Sequence, residues 1–432
     1  MRAGQYSRDG GGMGKLKRER QTRLTAQHAR AVPRTTRPIA AQPAIGLEAE
    51  FVVVMDGVPV RPEDVFGSPR RIVRGPLMHR TGRSYHLPTG SAMYFDTGVI
   101  ELATPMIEIE RGCAARAGRA LWESILFLRG ELDAWQTRHE RDVRLVGFST
   151  HYNVSFELPA AERNDGRTVE KLALLLTYLL PAPVMLLAAN RQSTGIGVRP
   201  RGNRVEVTAD FTPDAALMIA TATVIVGIVR EVMNWPSYEL SEIFQMAHGD
   251  LPIFRSFAPA PHSSRKGWVA RYSCFPRNPF AADVDEDRWD VCSGESLSLR
   301  EIAGRITKRF WPAIRRYADP FSLRLIGGVM AGRAPSLLEL SDRPSSYESV
   351  GHLCAWEDLF PDHELPRSRY ERVLIRAIHG DRLHLGRDDW YTPTGMRGWS
   401  HVIFRRDRDH SKHVFSLDYL LRHLDDWEAG HR

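Results

Sequence analysis

The sequence predicts an α+β fold built on an antiparallel sheet. Strand-like and helical segments follow one another without a regular βαβ rhythm, which argues against a doubly wound fold. No segment repeats another. Several strand-like segments interrupt apolar runs with polar residues at i, i+2 spacing, as a sheet with one polar face requires.

Residues 1–43 are rich in Gly, Arg, Thr and Pro, lack apolar periodicity and read as a disordered basic tail. Order is expected from Ala44. IGLEAEFVVV (45–54) alternates and then turns continuously apolar, as a strand does. Asp56-Gly57 is a hairpin signal, and VPV follows it. SAMYFDTGVIELATP (91–105) reads as one strand ended by Pro105. Leu121, Ile125, Leu128, Leu132 and Trp135 recur at helical spacing and predict a long amphipathic helix over 112–140. RLVGFSTHYNVSFEL (144–158) is strand-like, and a helix is expected from about Thr168.

Leu172 to Ala189 runs eighteen residues without a charge, which meets the lower limit for a membrane span. Pro181 and Pro183 in its middle would break such a helix, so two buried core segments are expected instead. Ala215 to Val229 is similarly apolar and is ended by Arg230 and Glu231. RVEVTADF (204–211) reads as a strand, and 213–234 as a helix starting at Pro213 with Asp214 in its first turn. Residues 296–318 read as one further helix. From about Ser345 the pattern changes to short helices, aromatic clusters and loops. The expected organisation is therefore a tail over 1–43, a main domain over 44–344 and a small C-terminal domain over 345–432.

Composition removes several function classes. The 432 residues are 43% hydrophobic and 26% charged, which excludes wholesale disorder, collagen and coiled coil. Of the formal net charge of +7, most resides in residues 1–38, which hold ten Lys/Arg against two acids; the remaining 49 bases and 50 acids nearly cancel. A neutral body argues against a fold built to grip nucleic acid. Neither a specific nucleic-acid partner nor a membrane is expected. Cys113, Cys274, Cys292 and Cys354 are far apart and form no CxxC or Cys/His spacing. That argues against a disulfide framework or a structural zinc, and a reducing cytoplasmic location is the expectation.

The polar residues inside the strands carry the chemistry. Glu48 and Glu50 are i, i+2, as are His151 with Asn153 and Arg204 with Glu206, while Asp96 and Glu101 flank a polar interruption. Burying such groups without partners is costly. Gathered on one sheet face, carboxylates and an imidazole suit Mg²⁺ or Mn²⁺, and nearby arginines suit phosphate. Each has a blander reading. Alternating polar residues also describe the solvent face of an ordinary antiparallel strand. His151 alone could be a hydrogen-bonded histidine, Asp96 could end a strand before Gly98, and Arg199 with Arg201 could form a solvated turn. No Walker A, GxGxxG or GxSxG pattern is present.

IGLEAEF, YFDTGVIELATP, GFSTHYNVSFE, LLPAPVMLLAANRQSTG and RVEVTADFTPD occur in that order. In order and spacing they resemble the glutamate–cysteine ligase and glutamine synthetase superfamily of carboxylate–amine ligases. The YFDTG segment with H-x-N, and the R…D strand running into an apolar helix, are similar to the branch that holds the ligase and deamidase of prokaryotic ubiquitin-like protein. The resemblance covers about residues 44–235. VIELATP stands where that branch has an HPEYATPEC-like form, and Glu206 resembles the glutamate–cysteine ligase side.

The resemblance implies a curved antiparallel cradle with helices on its outer face, binding ATP with Mg²⁺ (or Mn²⁺). It implies that Glu48, Glu50, Glu101 and Glu206 hold metal. His151 would meet a metal or the β-phosphate, with Asn153 beside it. Arg204, and more weakly Arg199, would hold the phosphoryl group, and Asp96 would be the base. A carboxylate donor and an amine acceptor, each a small molecule or a protein, would be joined through an acyl phosphate. An amide hydrolase on the same scaffold and a non-catalytic binding protein remain as alternatives. Deleting residues 1–38 is expected to leave activity unchanged in a direct rate comparison with the full chain; a large loss of rate would make the tail part of the site.

Overall fold

The computed structural model describes residues 43–155, 167–247, 251–262, 267–340, 366–386 and 389–429. The expected tail, apart from Pro43, lies outside the described residues, as does the 345–365 part of the expected C-terminal domain. Twelve strands of the described residues form one antiparallel sheet. They are β1 (Ala44–Met55), β2 (Val58–Val60), β3 (Met78–Thr81), β4 (Ser84–His86), β5 (Ala92–Asp96), β6 (Val99–Ala103), β7 (Ile107–Glu108), β8 (Val143–Ser155), β9 (Ile196–Arg201), β10 (Arg204–Asp210), β11 (Ala260–Pro261) and β12 (Trp268–Ala270). Across the sheet the order is β11-β12-β9-β10-β8-β1-β6-β5-β4-β3, with β2 and β7 also paired to β1.

Alternation along β1 explains the two faces. Ile45, Leu47, Ala49, Phe51, Val53 and Met55 are buried, while the residues between them are partly open. The buried set continues through Tyr152 and Val154 of β8, Val205 and Val207 of β10, and Ile100 and Leu102 of β6. Helices Cys113–His139, Val169–Leu179, Pro181–Ala188 and Ala215–Val232 cover this face. Full burial of a Leu, Ile or Phe side chain stabilises by about 1.5–3 kcal/mol, so the helix layer fixes which side of each strand faces inward. The Ala215–Val232 helix has the length and mean hydropathy (1.9) of a membrane span, but 83% of it is buried within the fold. The helices Val169–Leu179 and Pro181–Ala188 meet at a 63° bend, as Pro181 and Pro183 require. Gly227 lets a second layer approach: a Cβ there would come within 2.7 Å of Ile314 Cα.

Several expectations need correction. Residues 91–105 are not one strand but the hairpin β5–β6. Thr97 and Gly98 both have positive φ, +50° and +97°, as a tight hairpin turn demands. Asp214 is the N-cap of its helix and not part of the first turn; its side chain accepts from Leu217 N at 3.0 Å. Residues 296–318 split into strand Ser296–Ser298, helix Leu299–Arg309 and helix Trp311–Tyr317. Pro312 lacks the N–H that would continue the first helix, and the chain breaks at Phe310. Cys113, Cys274 and Cys292 are free thiols.

Two more strands, β13 (Arg288–Asp290) and β14 (Ser296–Ser298), form a separate hairpin. The C-terminal part holds more regular structure than its sequence suggests. Helix Arg369–His379 precedes a four-stranded antiparallel sheet of β15 (Leu383–Leu385), β16 (Asp389–Arg397), β17 (His401–Arg406) and β18 (Lys412–Ser416), then two short helices. Tyr370, Leu374, Tyr391, Phe404, Leu420 and Trp427 belong to its own apolar cluster, which Met78 of β3 joins.

A buried ionic clamp ties this part to the main sheet's helix layer. Arg119 Nη2 donates to both oxygens of Glu371 at 3.1 Å, and Glu371 is fully buried. Glu371 also caps its own helix, accepting from Ser368 N at 2.6 Å. Glu108 Oε1 of β7 accepts from Tyr370 N at 3.0 Å. Removing one partner strands the other charge in the interior, so Arg119→Met and Glu371→Gln should each cost about 3 kcal/mol. Urea titration should show that loss, with the double variant falling short of the sum because the two groups act on one bond.

Candidate functional site

The opposite face of the sheet is polar, and register decides what meets there. Directly opposed residues of an antiparallel pair point to one side. Glu48 opposes His151, and Glu50 opposes both Glu101 and Ser149. Asn153 opposes Glu206, Glu206 opposes Arg199, and Arg204 opposes Arg201. Tyr94 opposes Glu101 across the β5–β6 hairpin. Glu48, Glu50, Glu101, His151, Asn153, Arg199, Arg204 and Glu206 therefore share one face. Asp96 lies on it too by register, but at the exposed end of the hairpin, where its Oδ1 accepts from Thr97 Oγ1 at 2.9 Å.

Charge is graded across this face. Glu101, Glu48 and Glu50 sit on β6 and β1, the imidazole on β8, and three guanidiniums with one carboxylate, Glu206, on β10 and β9. Glu206, almost fully buried, forms ion pairs with Arg199 and with Arg201, whose Nε lies 2.8 Å away. Arg199 and Arg201 are thus strand residues facing the site; the turn is at Gly202, with φ +47°. Arg204 Nε donates to Asn153 Oδ1 at 2.7 Å. Gly197 continues the same row. A Cβ there would collide with the Thr208 hydroxyl, and the His262 ring lies 3.3 Å from that position.

Hydrogen bonding favours a protonated His151. The Ser149 hydroxyl donates its one proton to Glu50 Oε2 at 2.6 Å. His151 Nε2 lies 3.2 Å from the Ser149 hydroxyl oxygen, which is then free to accept from it, and Nδ1 lies 3.3 Å from Glu48 Oε2. An imidazolium, with a proton on each nitrogen, satisfies both contacts. Burial opposes that charge, but the Glu48 hydrogen bond and the charges of Glu50 and Glu206 outweigh it and hold His151 above the usual imidazole range. Burial likewise opposes ionised Glu48, while the His151 hydrogen bond and charge and the Arg204 charge keep it below the usual carboxylate range.

Glu101 goes the other way. Burial and the Glu48 charge push it up to about 8, against the pull of the hydrogen bond that Tyr94 donates to its Oε1. Crowded carboxylates resist joint ionisation, and a bound cation would relieve that repulsion. Donor atoms of Glu48, His151 and Glu206 all lie within 4.8 Å of one another. An ion with metal–oxygen distances of about 2.1 Å can bridge them after small side-chain movements. The oxygen-rich donor set fits Mg²⁺ or Mn²⁺, and binding through His151 would release its proton.

Sequence reasoning passed over Tyr94, Ser149, Arg80 and His262. Tyr94 and Ser149 were within reach, since each precedes a named polar residue by two. Arg80 and His262 come from segments without a strand pattern. Of the aromatic residues near the C-terminus, Tyr391 is core, Trp390 packs on His384, and Trp399 reaches Arg80 beside the site.

The Glu101 shift has a consequence for stability. Its carboxyl binds a proton more tightly when folded (about 8) than at its ordinary value of 4.5. The stabilisation is complete below pH 4.5 and is lost as pH rises towards 8. In EDTA, urea midpoints measured from pH 5 to 8 should therefore fall more steeply for the wild type than for Glu101→Gln; parallel curves would contradict the assignment.

No protein-family model matches the chain, and no curated protein matches it by sequence. Among solved structures it aligns with the complex between the prokaryotic ubiquitin-like protein Pup and its ligase PafA. The TM-score is 0.46 and the identity 12%, over 91% of this chain and 94% of that one.

Proposed function

We propose that this protein is an ATP- and Mg²⁺-dependent carboxylate–amine ligase that forms an amide, of isopeptide or γ-glutamyl type, through an acyl phosphate. One observation carries the reading: carboxylates, an imidazole and guanidiniums from five strands share one sheet face, graded from acidic to basic. Glu48, Glu50, Glu101, His151 and Glu206 are the residues that would hold divalent ions. A bound ion would supply charge neutralisation for the transferring phosphoryl group.

A carboxylate is a poor acylating agent and must be activated. Its oxygen attacks the γ-phosphorus, ADP leaves, and an acyl phosphate forms. The amine nitrogen then attacks the acyl carbon, phosphate leaves, and the nitrogen loses a proton. Phosphoryl transfer rests mostly on positioning and charge neutralisation. Arg204, whose partner is a neutral amide oxygen, is placed to offer its charge to phosphate oxygens. Arg199 is the weaker candidate because it is engaged by Glu206. Asp96 is exposed at the edge of the same face, where an amine from solvent would arrive, and we assign it the base.

The test is to incubate the purified chain with ATP, Mg²⁺ and panels of glutamate-type acids and amines. Release of ADP that requires an amine supports the ligase. Amide cleavage without net ATP consumption would instead make the protein a hydrolase, and no turnover with any pair would leave a binding protein. Glu48→Ala should lower the ligase rate at least ~100-fold with the fold intact by circular dichroism. Full activity in that variant would remove the metal assignment.

A further inference from the structure

Arg80 of β3 is the unusual charge beside the site. Its Nη1 donates to Ser84 Oγ at 3.1 Å, and its Nε is buried without a hydrogen-bond partner. Burial lowers its pKa, and the charges of Tyr94, Glu48 and Glu101 partly offset that, so it sits within electrostatic reach of the carboxylates. Yet among the described residues no carboxylate forms an ion pair with it. Desolvated guanidiniums beside carboxylates ordinarily close into charge-assisted pairs. Here two aromatic faces take their place. The guanidinium carbon lies 4.8 Å from the Trp399 ring centre and 5.9 Å from that of Tyr94.

Trp399 comes from the C-terminal sheet. It stands at the tip of the β16–β17 hairpin, next to Gly398 with φ +58°, and packs edge-on against His86 with 4.8 Å between ring centres. Burial and the Arg80 charge push His86 down to about 3, so the ring supporting Trp399 is neutral. β16 lies along β3, where Gly395 brings its backbone to the carbonyl of His79. The Arg119–Glu371 clamp anchors the same part of the chain.

We propose that Trp399 is a positioning residue of the site: its ring holds the Arg80 guanidinium off Glu48 and Glu101 and so keeps these carboxylates open to a divalent cation. The C-terminal sheet thereby contributes to the cation site without touching the ion. The inference rests on the reading that these carboxylates hold such an ion.

Mn²⁺ binding, followed by electron paramagnetic resonance on the full chain without nucleotide, tests it apart from activity. Arg80→Gln removes a competing charge and should tighten Mn²⁺ about five-fold or more. Trp399→Leu keeps apolar bulk against His86 but has no π face; the released guanidinium should close on the carboxylates and weaken Mn²⁺ about five-fold. Trp399→Phe should stay within about two-fold of wild type. In the Arg80→Gln background, Trp399→Leu should have no further effect. Wild-type affinity in Trp399→Leu would overturn the proposal, as would a loss that persists without Arg80, since the ring would then act through packing. Wild-type protein that binds Mn²⁺ no better than Glu48→Gln would remove the cation site and this proposal together. Binding as described, with no ADP formed under any condition, would leave the positioning role standing and remove the ligase.

Discussion

Everything at the site depends on the register of β1 between β6 and β8. Side chains along a strand alternate with a period of two, so a slip of one residue would exchange the faces. Glu48 and Glu50 would enter the core, and Leu47, Ala49 and Phe51 would face water. The slip is prevented on the apolar side, where the helix layer buries the intervening residues of β1 completely or nearly so. Hydrophobic burial on one face thus fixes the position of charge on the other. A bulge in the β1–β8 pairing at Glu50/Phe51 comes just beyond the site residues, leaving Glu48 opposite His151 and Glu50 opposite Ser149.

The gathered charges balance only in part. Glu206 is neutralised by two arginines and Glu48 by His151, but Glu101 shares its surroundings with Glu48 and Glu50 and takes up a proton instead. The site is therefore strained electrostatically on its acidic side and well compensated on its basic side. On the proposed function, the acidic side would take the cation and the basic side the polyphosphate of a metal–nucleotide complex. Aromatic side chains complete it. Tyr94 donates to Glu101, and Tyr94 and Trp399 hold Arg80 without an anionic partner.

How much of this is legible in the sequence follows from the range of each interaction. The alternation in IGLEAEF and the i, i+2 pairs at 151/153 and 204/206 are local, and period-two reasoning puts the members of each pair on one side of their own strand; that the pairs share one sheet face follows from the strand register. The β5–β6 hairpin escaped because Thr97-Gly98 lies within a segment whose apolar and β-branched residues run on either side without a break; the positive φ of both residues is the signal that mattered. Arg199 and Arg201 resembled a solvated turn because Pro200 and Gly202 surround them, yet the turn begins one residue later. In the β-strands after residue 380, aromatic and basic residues mask the alternation. The meeting of Arg80 with Trp399, and of Arg119 with Glu371, belongs to tertiary packing and has no local signature.

The central claim is that this sheet face holds a divalent cation through side chains of separate strands. Anomalous diffraction from crystals soaked in Mn²⁺ tests it most directly. The account predicts a peak within coordination distance of Glu48 and at least one of Glu101, His151 and Glu206. A map with no peak on this face at saturating Mn²⁺, or with the ion bound elsewhere, would contradict it.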